Sequence, residues 1–185
     1  MDPRTLIELM KTPARLKDMT RHSWTRQGRH ESVAEHTFSL ALLAYFVKAE
    51  FPNLDIDRVI RMCLFHDMGE AFTGDIPAFE KTDEHEREEE RAVDGWIDSL
   101  PEGFRHEVRV LFDEMNAQQT GEAKLYKALD KMETLMQHNE ADISTWLALE
   151  RELNFVYGEE QVRFSPYLEA LRQEICRDSR RKIEE

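Results

Sequence analysis

Apolar side chains recur every three to four positions through almost all of this chain, and few residues interrupt them. Six prolines and seven glycines punctuate 185 residues. Alternation with a period of two, the mark of a half-buried strand, is nearly absent. Such a chain buries its stripes by packing helix on helix. The expectation is therefore an all-α fold: one helical bundle over residues 1–185. Its core covers about 5–140, its C-terminal helices about 142–177, and a frayed tail 178–185.

A chain of this length folds without a disulfide or metal staple. Cys63 and Cys176 form no CxxC pair and read as reduced thiols. The start Met1-Asp2-Pro3-Arg4 has no apolar signal region, and no apolar run approaches membrane-spanning length. A cytoplasmic protein with no membrane partner is expected. Lys plus Arg is 25 against 38 Asp plus Glu, a formal charge of −13. This opposes binding to duplex nucleic acid, which needs a basic face. A small phosphorylated ligand in a local pocket is compatible with it.

Asp2-Pro3 predicts a short first helix, and residues 12–31 read as irregular and basic around Trp24. Ser32-Val33-Ala34-Glu35 is a capping box opening a second helix, with His36 on its buried stripe of Val33, Leu40, Leu43 and Val47. A third helix over about Asp57–Phe72 is apolar all round, hence central, with His66, Asp67 and Glu70 near its end. Further helices are expected over about 82–100, after Pro101, over 121–138, over 142–156 and over 166–177. In the 121–138 helix Asp130 lies beside Tyr126 and Glu133, off the stripe of Leu125, Leu129, Met132 and Met136.

His36, His66, Asp67 and Asp130 are the candidates for chemistry. Buried imidazoles need partners and buried carboxylates need compensating charge. Converging, they make a mixed N/O site for a divalent cation. Spacing alone does not select that site over a set of satisfied core residues. His85 and His106 sit among charges and read as solvated, as do His22, His30 and His138. The run Glu84–Glu90 reads as a solvated face.

The order His36, His66-Asp67, Asp130 resembles the HD-domain metal phosphohydrolases. The segments Arg21-His22-Ser23-Trp24, Glu31–His36, His66–Glu70, Thr73-Gly74-Asp75-Ile76-Pro77 and Lys124–Lys131 resemble their 5′-deoxynucleotidase branch. The resemblance implies His36, His66, Asp67 and Asp130 as ligands of one divalent metal ion: Mn²⁺, Co²⁺, Ni²⁺, Fe²⁺ or Zn²⁺. It implies Glu70 and Asp75 as the catalytic acidic pair, Arg21 as the phosphate-binding arginine and Trp24 as a sugar or base contact. In some relatives the tryptophan directly follows that arginine; here His22 intervenes. The implied activity is hydrolysis of (deoxy)nucleoside 5′-monophosphates, with a small-molecule nucleotide as substrate and a homodimer as the assembly. The alternatives are an HD-domain hydrolase of nucleoside triphosphates, cyclic nucleotides or (p)ppGpp, and a non-catalytic nucleotide-binding helical protein. Trp146, Leu147, Leu149, Leu153, Phe155 and Val156 are expected either to complete the core or to face a second copy.

Overall fold

The computed structural model describes residues 1–185. Its helices are α1 (Pro3–Leu9), α2 (Lys11–Arg15), α3 (Val33–Phe46), α4 (Ile56–Phe65), α5 (Glu70–Thr73), α6 (Asp83–Ser99), α7 (Glu102–Ala117), α8 (Gly121–Glu140), α9 (Glu150–Leu153), α10 (Glu159–Val162) and α11 (Pro166–Glu184). One antiparallel hairpin, β1 (Thr20–Trp24) and β2 (His30–Ser32), joins α2 to α3.

The sequence specifies most helix starts through side-chain caps. Ser32 Oγ accepts from the Glu35 backbone N–H at 3.3 Å, and the Glu35 carboxylate accepts from that of Ser32 at 2.9 Å. Asp55, Thr82, Thr120 and Ser165 cap α4, α6, α8 and α11. Each cap satisfies a backbone donor that the first helical turn leaves free.

Helix α8 lies at the centre, packed on α3, α4, α7, α10 and α11. It buries Leu125, Tyr126, Ala128, Leu129, Asp130, Met132, Glu133 and Leu135, well over half its circumference. That is why Asp130 faces the interior although it lies off the apolar stripe. Met136, expected on that stripe, is exposed.

Several expectations need correction. The segment read as irregular holds α2 and the hairpin, with Gly28 at φ +78 in its turn. The third helix does not run to Phe72: α4 ends at Phe65, the chain turns through His66–Gly69, and α5 begins at Glu70. Gly69 permits a close approach to α6, since a Cβ there would lie 2.5 Å from Glu89 Cγ and 2.9 Å from Val93 Cγ2. Nor is α4 buried all round, for Leu64 is exposed. Residues 142–156 form a 3₁₀ turn (Ile143–Thr145) and the single turn α9, not one helix. The tail is not frayed: α11 continues to Glu184, and Ser179, fully buried, donates to Asn139 Oδ1 at 2.8 Å.

Candidate metal centre and active site

Four side chains from three elements of the bundle converge. His36 comes from the second turn of α3, His66 and Asp67 from the turn after α4, and Asp130 from the middle of α8. His36 Nε2 lies 3.3 Å from His66 Nε2, 3.3 Å from Asp130 Oδ1 and 3.8 Å from Asp67 Oδ2. His66 Nε2 lies 2.9 Å from Asp67 Oδ2 and 3.8 Å from Asp130 Oδ1.

The outer nitrogens of the two rings decide what the inner ones offer. His66 Nδ1 lies 2.8 Å from the carbonyl oxygen of Cys63, which only accepts, so Nδ1 carries the proton. His36 Nδ1 lies 2.5 Å from Glu133 Oε2, a second obligate acceptor when ionised. Each Nε2 thereby turns a lone pair toward the other ring and toward two carboxylates. Two neutral imidazoles would repel in this arrangement; a cation between them satisfies both rings and Asp67, with Asp130 Oδ1 3.3 Å from His36 Nε2 alongside. The donor set fits a divalent metal ion.

Titration favours the same occupancy. Burial and the Arg21 charge pull His36 down, but hydrogen bonds to Asp130 and Glu133 and the Glu133 charge outweigh them and raise it to about 9. Asp67 is lowered to about 2: burial pushes it up, and positive charge on the imidazole pair beside it overcomes that. Asp130 is held well below the ordinary carboxylate range, its burial overcome chiefly by Lys127, whose Nζ sits 3.0 Å from Oδ2. In the metal-free protein a proton on His36 takes the place a cation would fill.

A cavity of about 330 Å³ opens from this cluster. Arg21, on β1, lines it and donates to Glu31 Oε2 at 2.9 Å and to Thr134 Oγ1 at 3.2 Å. Glu133 Oε2 lies 3.7 Å away. Burial raises Glu31 to about 7, against the opposing pull of Arg21. Glu70 and Asp75 line the same cavity. Glu70 Oε2 is buried with no hydrogen-bond partner, and burial together with the Asp67 charge raises its pKa well above the usual range. Asp75 is raised by burial too, against Arg21.

The structure thus gathers His36, Asp67, Asp130, Arg21, Glu70 and Asp75 around one cavity, with His66 in contact with His36. It does not bring Trp24 there. The Trp24 ring stacks on His30, centroids 4.0 Å apart, and its carbonyl accepts from Gln137. His22 and His138 depart from expectation the other way and line the cavity. His85 caps α6, His106 is exposed, and neither lines the cavity. Glu133 and Glu31 went unassigned in the sequence. The spacing Asp130-x-x-Glu133 places both carboxylates on one helix face, the signal that was available.

A family profile described as the HD domain matches residues 14–172. The chain belongs to the HD-domain family. Among relatives, the human 5′-deoxynucleotidase HDDC2 is 37% identical over 142 residues, covering 74% of this chain and 68% of that protein. A 5′-deoxynucleotidase of Yersinia pestis is 31% identical over 112 residues, 55% of this chain and 57% of that one. A crystal structure from Magnetospirillum magnetotacticum, described as a predicted metal-dependent phosphohydrolase, superposes with a TM-score of 0.81 at 24% identity. It covers 97% of this chain and 93% of that one, and shows the shared fold. No helix is long and apolar enough to cross a membrane.

Proposed function

We propose that this chain is a metal-dependent 5′-nucleotidase that hydrolyses (deoxy)nucleoside 5′-monophosphates to nucleoside and phosphate. The observation that carries the reading is the convergence of two Nε2 lone pairs and two carboxylates at one end of a cavity that also holds Arg21 and Glu70. The relatives named 5′-deoxynucleotidase support it.

His36, His66, Asp67 and Asp130 would hold the ion; their mixed N/O set suits Mn²⁺, Fe²⁺, Co²⁺, Ni²⁺ or Zn²⁺. Such an ion lowers the pKa of water and screens phosphoryl charge. The remaining work falls to the chain. Arg21 forks onto phosphate oxygens, its plane set by Glu31 and Thr134. Glu70, whose burial favours the protonated carboxyl, gives that proton to the 5′ oxygen as the phosphorus–oxygen bond breaks. Asp75 orients the attacking water and takes its proton. Water adds to phosphorus, and the nucleoside leaves with a restored hydroxyl.

One domain suits a buried core running without a break from Leu16 to Ile175. The free thiols Cys63 and Cys176 suit a reducing compartment such as the cytoplasm. A homodimer suits the stripe Phe38, Leu42, Tyr45 and Phe46 on the exposed face of α3; of the C-terminal apolar residues Trp146 is buried, while Leu147, Leu149 and Val156 are exposed.

The test is phosphate release from a panel of nucleoside 5′-monophosphates by metal-stripped protein reconstituted with each cation. Metal-dependent release is expected. No release with any ion, from folded protein that binds one, overturns the reading.

A further inference from the structure

The far end of the cavity carries a second polar cluster for which phosphate chemistry has no use. Glu150 is 3% exposed and Asn154 2% exposed, and both line the cavity. Glu150 Oε2 accepts from the Leu147 backbone N–H at 2.7 Å. Asn154 Oδ1 lies 3.2 Å from His138 Nδ1. Each side chain keeps one buried polar atom without a hydrogen bond: Glu150 Oε1, an acceptor, and Asn154 Nδ2, a donor. His22 Nε2 approaches Oε1 at 3.1 Å and His138 Nε2 at 3.6 Å, neither in hydrogen-bonding geometry. Buried groups left in this state cost stability unless something else pairs them.

Helix α8 sets where this cluster stands. Asp130, Thr134 and His138 lie on one face at steps of four, and all three line the cavity. Eight residues of helix span about 12 Å. The pair Glu150–Asn154 beside His138 is therefore about one nucleotide length from the metal end.

We infer that Glu150 and Asn154 form a nucleobase subsite, reading an edge that sets an N–H donor beside an acceptor. The inference rests on the nucleotidase reading above. Every common base offers that pair on its pairing edge, so the subsite holds a base without choosing among the four. It rejects a base that lacks the donor, because Glu150 Oε1 is then left buried without a hydrogen bond.

The test compares 2′-deoxyadenosine 5′-monophosphate with the purine deoxyriboside 5′-monophosphate, which lacks only the amino group. Deoxyribose 5-phosphate serves as the base-free control. Wild-type kcat/KM is expected to fall about tenfold without the amino group, the scale of one lost charge-assisted hydrogen bond. Glu150→Gln should abolish that difference and Asn154→Ser should weaken both nucleotides, while turnover of deoxyribose 5-phosphate stays unchanged. Equal wild-type kcat/KM for the two nucleotides overturns the subsite, as do variants that lower deoxyribose 5-phosphate as much as nucleotide. If no phosphate is released from anything, it is the nucleotidase reading that fails. Calorimetry with deoxyadenosine and purine deoxyriboside then decides the subsite, and equal affinities overturn it.

Discussion

At the metal end of the cavity the Nδ1 atom of each imidazole has an assigned partner, whereas at the far end Glu150 and Asn154 hold polar atoms with none. The metal end is assembled from α3, α8 and the turn after α4, elements capped and packed at the core. The far end hangs on one turn of helix in an otherwise irregular segment. Chemistry requires donors fixed to fractions of an ångström, and two long helices with the turn that closes α4 supply that. Recognition of a variable group needs only unpaired donors and acceptors, and a loop held by a few bonds can present them. The difference is expected to appear as a hierarchy of mutational effects.

The largest effect is expected at the proposed ligands. Asp67→Ala removes one carboxylate and leaves two lone pairs facing each other. Metal content by atomic emission should fall to background, and metal-dependent phosphate release by about a thousandfold or more. An Asp67→Ala protein with full metal content and full activity would break the assignment of this end altogether.

Next comes Glu133, which would act on a bound ion only through its hydrogen bond to His36. Glu133→Gln keeps the shape but weakens the bond that fixes the His36 tautomer. Outer partners of this kind are worth about 10- to 100-fold in metal affinity. Competition with a chelator should show that loss for the best-binding cation. An unchanged affinity would mean that His36 is positioned by α3 alone.

The raised pKa of His36 makes metal uptake pH-dependent. Its proton is held up to about pH 9 in the metal-free protein and must leave before Nε2 can coordinate. Affinity should therefore rise by about tenfold per pH unit as pH approaches 9, then level off. Metal-free stability runs the other way. A histidine whose folded pKa exceeds its unfolded value contributes fully below the unfolded 6.5, and that contribution is lost as pH rises through 9. Opposite slopes for loaded and stripped protein, read by thermal melts across pH 6 to 9, are the expected signature; parallel slopes would place the displaced proton elsewhere.

Much of the metal end was legible in the sequence, and little of the far end was. Ser32 and Glu35 announced the start of α3 because a capping box is local chemistry, and His36 followed four residues on. Asp130 was legible as a candidate but not as buried, since its burial depends on helices packing α8 from several sides. The break of α4 at His66 was hidden by the apolar run through Phe65, Met68 and Ala71, which reads as continuing helix. What turns the chain there is tertiary: Gly69 must pass close to Glu89 and Val93. The same holds over 142–156, where Trp146, Leu149, Leu153 and Val156 keep a helical period. Of these only Trp146 is buried, its indole N–H donating to the His138 carbonyl near the end of α8, and Leu149 and Val156 are exposed, so the segment breaks into short turns. His22 and His138 looked like surface residues because nothing local marks a cavity wall. Trp24 was placed by resemblance, and the stacking on His30 that turns it away is a cross-strand contact of a hairpin the periodicity did not reveal.

The smallest expected effect sharpens the contrast most cleanly. Ser32→Ala removes the side-chain acceptor from the first turn of the helix that carries His36. Loss of such a cap costs about 1 kcal/mol, and for a chain of this size that lowers the melting temperature by about 2–4 °C. Metal affinity should not change. His36 is held from the opposite side by Glu133, and α3 is pinned by Val33, Leu40 and Ala44, all fully buried. The fraying that follows cap loss should therefore stop short of the ligand. A tenfold weaker metal affinity in Ser32→Ala would show that the ring is aimed by the cap after all. The metal end would then depend on one local bond, as the far end depends on the bond from Leu147 to Glu150.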